Sequence, residues 1–477
     1  MDKTFARDQI LKNLNLKPTQ DQFRFIKQFA EFLTERPERI FVLRGYAGTG
    51  KTTLVRSLAK ALPALKMKSL LMAPTGRAAK VLSKYSRRRA STVHRVIYSL
   101  DTAGGAVLTF RLGRNKSKDT LFIVDESSMI SGSTQAADQL FSGSNLLDDL
   151  IRYVDDGENC SILFIGDVAQ LPPVNERVSP ALSPKLLSDK YLKRAVMFEM
   201  KEVVRQEQES GILFNATQTR HRLLNQELLP QFNADFPDVK AISGVDFQDQ
   251  LESCYSQGSI EDSIVICRSN KQANRYNQTI RNRVLYKEEE LESGDLLMVV
   301  RNNYHWLDAT SQAGFIANGD IVELLSISKM EEKWGFRFAH AEVRMLDYPD
   351  QDPISVVLNI NALCSDSPAM TRDENDKLYE AIQKRHSDIK DKTIRRMKIK
   401  NDPYFQALQV KFSYAITCHK AQGGQWKNVF VDQGYLTPEM QGVDLMRWMY
   451  TAITRATDSL YLLNFDEQFI SDGEESE

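Results

Sequence analysis

Short continuous apolar runs, separated by longer stretches of mixed polarity, set the pattern of this chain. Early on they fall at 39–43, 69–73, 121–124 and 161–165. Runs of that length without polar alternation read as strands buried on both faces. The segments 52–62 and 76–84 between them have helical spacing, and strand alternating with helix predicts a parallel sheet covered on both sides. Later runs at 263–267, 412–416, 428–431 and 459–463 predict a second such sheet. The interval 291–408 differs. Its alternation at 320–325 and 336–343 predicts hairpins, so it reads as an inserted small β-barrel-like domain followed by a charged helical segment. A smaller insertion lies at 95–118, where 96–100 and 106–110 flank Asp101-Thr-Ala-Gly-Gly105, a sequence with the chemistry of a hairpin turn. The expected architecture is therefore α/β. The first sheet domain takes 1–94 and 119–177 and is interrupted by the hairpin; the second takes 178–290 and 409–477 and is interrupted by 291–408.

A chain of 477 residues is too long for one hydrophobic core, which agrees with more than one domain. No stretch approaches the roughly 18 apolar residues of a spanning helix, and the N-terminal segment lacks the apolar core of a signal peptide. No membrane association and a cytoplasmic location are expected. The five cysteines, Cys160, Cys254, Cys267, Cys364 and Cys418, have no paired spacing and read as reduced thiols. A net charge of −1 supplies no overall attraction to a polyanion, so any such site must be local. Basic clusters stand at 84–89, 111–118 and 384–400, the last with Lys384, Arg385, Lys390, Arg395, Arg396 and Lys398. A solvated helix face is the ordinary reading of such a run; an auxiliary nucleic-acid contact is the other. Trp306, Trp334, Trp426 and Trp448 read as packing residues, because a buried indole removes much apolar area from water.

Gly45-Tyr-Ala-Gly-Thr-Gly-Lys-Thr52 follows a predicted strand and opens a predicted helix, the context a phosphate-binding loop requires. Backbone N–H groups of Gly45, Tyr46, Ala47, Gly48, Thr49, Gly50, Lys51, Thr52 and Thr53 would converge on phosphates at a positive helix terminus. Lys51 would neutralise phosphate charge and the Thr52 hydroxyl would ligate magnesium. Asp125-Glu126 ends a buried strand. There Asp125 suits the metal, and Glu126 suits orienting or deprotonating the attacking water. Phosphoryl transfer also needs positive charge on the transition state, and Arg205 and Arg455 are the candidates.

Taken in order along the chain, these strings resemble the motifs of superfamily-1 helicases, specifically the 5′-to-3′ branch of RecD-like and Dda-like enzymes. Leu16-Lys-Pro-Thr-Gln-Asp-Gln22 resembles the adenine-reading segment, with Gln22 as reader. Ala73-Pro-Thr-Gly-Arg-Ala-Ala-Lys80 and Ala90-Ser-Thr-Val-His94 resemble two strand-holding motifs, which implies nucleic-acid contacts by Pro74, Thr75, Arg77, Ser91, Thr92 and His94. Gly166-Asp-Val-Ala-Gln-Leu-Pro-Pro-Val174 resembles the motif in which Gln170 senses the γ-phosphate. Glu202-Val-Val-Arg-Gln206 makes Arg205 one arginine finger, and Tyr450-Thr-Ala-Ile-Thr-Arg-Ala456 makes Arg455 the other. Tyr414-Ala-Ile-Thr-Cys-His-Lys-Ala-Gln-Gly423 implies that Thr417 and His419 face nucleic acid while Gln422 and Gly423 face nucleotide. Gly424 stands where many relatives carry a small polar residue.

The resemblance implies two tandem RecA-like P-loop motor domains, a hairpin pin at 95–118, and a small β-barrel around Asn318-Gly-Asp320. It implies ATP and Mg2+ as cofactors, and single-stranded DNA or duplex with a single-stranded tail as substrate. Replication or repair proteins are expected as further partners, and a monomer suffices. An RNA helicase or nucleoprotein-remodelling translocase, and a nucleotide-gated binding module, are the competing classes; DNA and RNA differ at the 2′-hydroxyl.

Overall fold

The structure, a computed structural model, describes residues 2–35, 39–100, 110–133, 145–204, 210–308, 311 and 313–471. Its first sheet has six strands, in spatial order 90–92, 68–73, 120–124, 161–166, 40–45 and 195–200, and every pairing is parallel. Phe41, Leu43, Leu121, Ile123, Leu163 and Ile165 enter one apolar cluster, and Ile40, Val42, Phe122, Val124, Ile162 and Phe164 enter another. Both faces of the central strands are thus covered, which is why they read as unbroken apolar runs. Helix Gln20–Glu35 closes one face with Phe25 and Phe29, which meet Phe41 edge-on at 5.7 and 5.1 Å.

Strand Ala195–Met200 pairs with Ile40–Gly45, so the first sheet takes in chain beyond the expected boundary at 177. The strand lies at the sheet edge and is only partly buried, so it lacks the continuous apolar run that marks its neighbours. The hairpin reading also needs correction. Val93–Ile97 is a short helix, and the paired strands are Tyr98–Leu100 and Phe110–Leu112. The expected turn 101–105 and most of the expected return strand 106–110 lie outside the described residues.

The second sheet orders strands 239–242, 456–463, 426–432, 263–267 and 415–417, again all parallel. The run expected as one strand at 412–416 is divided. Leu408–Phe412 closes a barrel and Ala415–Thr417 joins the sheet. That barrel consists of 296–299, 321–333, 336–345, 354–359 and 408–412. Helices Arg372–Arg385 and Lys392–Lys400 pack against it through Leu378, Ile382 and Ile399. Its root is a buried ion pair, Arg281 Nε to Asp295 Oδ1 at 3.0 Å, with Tyr414 donating to the same oxygen at 3.0 Å.

Trp426 and Trp448 are buried and the Trp306 indole N–H donates to the Gln406 carbonyl, as packing residues should. Trp334 fits that reading in part: it meets Tyr404 edge-on but remains 40% exposed. All five cysteines are free thiols, Cys364 exposed and the others buried. No helix among the described residues is long and apolar enough to cross a membrane.

Candidate functional site

Adjacent parallel strands 120–124, 161–166 and 40–45 end on the same edge of the first sheet. They deliver Asp125, Asp167 and the 45–52 loop side by side. The carboxyl edge is where loops of an open α/β sheet form ligand sites. Gly50 caps helix Lys51–Ala61 at φ 79°, and a Cβ there would lie 2.5 Å from Gln22 Nε2. Glycine is therefore required twice over at this position. Lys51 Nζ donates to the carbonyls of Gly45 and Tyr46, at 2.8 Å each. Thr49 Oγ1 donates to the Tyr46 carbonyl, which fixes the loop internally.

Gln22 is buried and both ends of its amide are used. Its Oε1 accepts from Thr19 N at 3.1 Å and its Nε2 donates to the Thr49 carbonyl at 3.2 Å. The structure thus ties Gln22 to the loop backbone. Asp125 N donates to the Met72 carbonyl, and Asp125 Oδ1 accepts from Glu126 N at 2.9 Å. Burial, with the neighbouring charge of Glu126, pushes the Asp125 carboxyl well above the usual carboxylate range, and Lys51 opposes this. Glu126 holds φ 51° and ψ 36°, a left-handed conformation that is costly for a residue with a side chain and concentrates at functional sites. Among the described residues no group of three or more His, Cys, Asp or Glu could hold a metal. A buried Asp125 carboxyl beside Glu126 fits a divalent cation, which Asp125 and the Thr52 hydroxyl would hold and which would take its remaining ligands from phosphate and water.

The link to the second sheet domain runs through Tyr450 on helix Val443–Ile453. Its hydroxyl accepts from Ala47 N at 2.9 Å and donates to Asp167 Oδ2 at 2.6 Å. Leu171 N donates to Thr451 Oγ1, and Gln422 Nε2 donates to the Leu171 carbonyl at 2.8 Å. Gln170 is buried, with its Oε1 lacking a hydrogen-bond partner. Such an acceptor carries a desolvation cost until something donates to it. Arg455 is buried, and its guanidinium donates to the Thr451 and Gly424 carbonyls and to Thr454 Oγ1. Arg205 lies outside the described residues. The residue before it, Val204, donates its N–H to the Gly48 carbonyl at 2.9 Å.

The expected nucleic-acid residues come from both domains, and Thr75 and Arg77 stand against the second one. Pro74 and Thr75 follow strand 68–73, and Ser91 and Thr92 lie in the strand beside it. Thr75 and Thr92 are helix N-caps, their hydroxyls accepting from Ala78 N and Arg95 N. The Arg77 guanidinium stacks 4.0 Å over Trp426 of the second domain. Gly423, at φ 73°, leaves room for Ala78, whose Cβ would stand 2.7 Å from an added Cβ. The unusual Gly424 has a like cause, since a Cβ there would meet Trp426 at 2.5 Å and Arg77 Nε at 2.9 Å. His94 is partly buried, and burial pushes its imidazole down to about 4. Thr417 is half-buried and His419 exposed.

Sequence reasoning missed three residues of this site. Arg220, buried on helix Gly211–Leu224, lies 4.4 Å over the Tyr46 ring, and its Nε has no hydrogen-bond partner. Lys420 donates to Asn318 Oδ1 at 2.6 Å, and burial pushes its ammonium down to about 8. Asp320 is buried behind Gly76, and burial raises its carboxyl to about 8. Lys420 and Asp320 stand inside quoted strings and could have been singled out; Arg220 has no string around it.

Residues 19–222 match the family model described as an AAA domain, and 412–463 match the UvrD-like helicase C-terminal domain. An uncharacterised protein of Acanthamoeba polyphaga mimivirus is 22% identical over 90% of this chain and 96% of its own. The ATP-dependent RecD2 DNA helicase of Deinococcus radiodurans is 36% identical over 29% of this chain and 16% of its own. The ATP-dependent DNA helicase dda of Enterobacteria phage T4 is 25% identical over 54% of this chain and 55% of its own. The match thus spans less than two thirds of either named helicase. Among solved structures, a Pif1 helicase from Bacteroides in complex with ADP-AlF3 and single-stranded DNA covers 96% of this chain and 95% of its own at TM-score 0.49 and 16% identity. An AAA-domain match over 19–222, a UvrD-like helicase C-terminal match over 412–463 and the motif strings in order along the chain make it similar to the superfamily-1B helicases.

Proposed function

We propose that the protein is an ATP-dependent DNA helicase that moves 5′-to-3′ on single-stranded DNA and unwinds duplex. The observation that carries this reading is the Ala47–Tyr450–Asp167 connection, because one hydroxyl from the second domain touches both the phosphate loop and the neighbouring strand end of the first. Nucleotide bound on the loop then bears directly on the relation between the two domains, which is what stepping along a strand requires.

In this reading the loop amides and Lys51 hold the phosphates of ATP, and Thr52 and Asp125 hold Mg2+. The metal supplies charge neutralisation at the phosphates. Glu126 receives a proton from the attacking water, and Arg205 and Arg455 stabilise transition-state charge. Gln170, with its free Oε1, senses the γ-phosphate. The strand lies against Pro74, Thr75, Arg77, Ser91, Thr92, His94, Thr417 and His419, and the hairpin rooted at 98–100 and 110–112 splits the duplex. A monomer suffices, replication or repair proteins are partners, and the location is cytoplasmic.

Steady-state ATPase with and without single-stranded DNA, alongside unwinding of duplexes with a 5′ or a 3′ tail, tests the proposal, with Lys51→Ala as control. DNA-stimulated ATPase and unwinding from the 5′ tail alone, both lost in the variant, are expected. Stimulation without unwinding would reduce the protein to a translocase, and no stimulation would end the motor reading.

A further inference from the structure

The far end of the barrel's long hairpin breaks a local rule. Strands Ile321–Lys333 and Phe336–Met345 are joined by Trp334 and Gly335, with φ of 55° and 78°. A two-residue hairpin turn wants left-handed residues at both places, and Asn, Asp or Gly normally supplies the first. Tryptophan is strained there, and although its indole packs against Tyr404 it stays 40% exposed. The turn does not ask for it. A local rule broken at an exposed position marks a candidate functional position.

The indole stands edge-on to Tyr404 at 5.7 Å and borders a cleft of about 640 Å³ along helix Arg372–Arg385. Lys377, Glu380, Lys384 and Arg385 recur on one exposed face of that helix, while Leu378 and Ile382 anchor it to Phe336, Phe338 and Tyr404. Arg385 is paired with Asp402 at 3.3 Å, but Lys377 and Lys384 have no carboxylate partner among the described residues. Helix Lys392–Lys400 packs on the same apolar cluster and contains no acidic residue. Its Lys392, Arg395, Arg396 and Lys398 likewise have no ion pair among the described residues, and Ile394 and Met397 are 52% and 57% exposed. An ordinary solvated helix interleaves charges of both signs; Arg372–Arg385 does so, with Glu380 in the cleft, but Lys392–Lys400 does not.

We infer that Trp334 and the basic faces of these two helices form an auxiliary site for single-stranded nucleic acid outside the inter-domain cleft, with a base stacked on the indole and phosphates held by Lys377, Lys384, Arg395 and Arg396. Aromatic platforms beside unpaired cations are how single strands are gripped without regard to sequence. Strand Ile321–Lys333 runs 13 residues, roughly 40 Å, from the Asp320 end of the barrel to this turn, so a strand confined to the cleft does not reach it. The inference rests on the proposed function for the identity of its ligand.

The test is an anisotropy titration of the full chain, without ATP, using a single-stranded DNA of about eight nucleotides and one about four times longer. Wild type binds the longer one more tightly and with steeper salt dependence. Reversing Lys384, Arg395 and Arg396 together to Glu lowers the slope of log affinity against log salt by about 2 for the long strand, at roughly 0.7 per lost phosphate contact, and leaves the short strand unchanged. Trp334→Asn keeps a left-handed turn and weakens the long strand about fivefold or more at unchanged slope. Unchanged short-strand binding also reports an intact fold. Equal losses on both lengths, or no loss on the long one, overturn the inference. Because ATP is absent, a failure of DNA-stimulated ATPase would count against the motor and leave this site standing.

Discussion

Tyr450 donates its phenolic proton to Asp167 Oδ2 at 2.6 Å, and the two residues belong to different sheet domains. Burial raises the Asp167 carboxyl above its ordinary value, with Lys51 and the Tyr450 hydroxyl opposing that rise. The same burial, with Asp167 beside it, holds the phenol far above its usual range, so the proton stays on the tyrosine. Tyr450→Phe leaves both Asp167 Oδ2 and Ala47 N without their partner. A loss of about 1–3 kcal/mol is expected in urea denaturation. DNA stimulation of the ATPase should fall more than nucleotide affinity, and equal losses in the two would count against a coupling role.

Arg220→Ala removes the cation over the Tyr46 ring. A desolvated contact of this kind contributes on the order of 2 kcal/mol to holding Tyr46 in place, so stability in urea should fall by up to about that amount and nucleotide affinity, measured by equilibrium titration, should fall as the loop loosens. Arg220→Lys keeps the charge but loses the planar stack, and an intermediate affinity is expected. Wild-type affinity in both variants would show that the contact is only packing.

Glu126→Gln retains size and hydrogen bonding but cannot accept a proton. Turnover should drop by about 10² to 10⁴, while nucleotide still binds and still tightens or loosens DNA. Measuring single-turnover hydrolysis beside nucleotide-dependent DNA affinity separates the two effects. A variant that hydrolyses normally would remove Glu126 from the chemistry.

Asp320 gives a pH signature. Its carboxyl is buried and titrates near 8 in the fold, against about 3.9 in the unfolded chain. Between those values the folded state holds a proton that the unfolded state has released, so stability falls as pH rises and levels off above pH 8. Asp320→Asn keeps an acceptor for Ala317 N, which now donates to Oδ2 at 2.7 Å, and has no proton to lose. Its unfolding free energy from urea denaturation should match wild type near pH 4, exceed it increasingly up to about pH 8 by an amount on the order of 2 kcal/mol or more, and keep that lead at higher pH. A difference that does not change with pH would show that Asp320 is not the group responsible.

The divided run at 412–416 shows where local reading stops. Phe412, Tyr414, Ala415 and Ile416 are all buried, so the string looks like one strand. Yet Phe412 pairs with Leu297 in the barrel, while Ala415 pairs with Val265 in the sheet. Burial is visible in the residue types; the change of partner between Phe412 and Ala415 is not. Trp334 shows a second limit, since the residue expected to pack does meet Tyr404 edge-on but remains 40% exposed at a turn.

The phosphate loop, Asp125-Glu126 and the motif strings were readable because each is a contiguous arrangement whose chemistry depends on neighbours in the chain. Glycines at fixed spacing set the loop, and a short apolar run fixes which end of a strand carries the acids. The tertiary structure alone decided that Tyr450 reaches Ala47 and Asp167, that Arg220 covers Tyr46, and that Lys377 and Lys384 border the same cleft as Trp334. These contacts join residues far apart in sequence, and no local propensity encodes them. They arise from how two separately covered sheets and a barrel pack against one another.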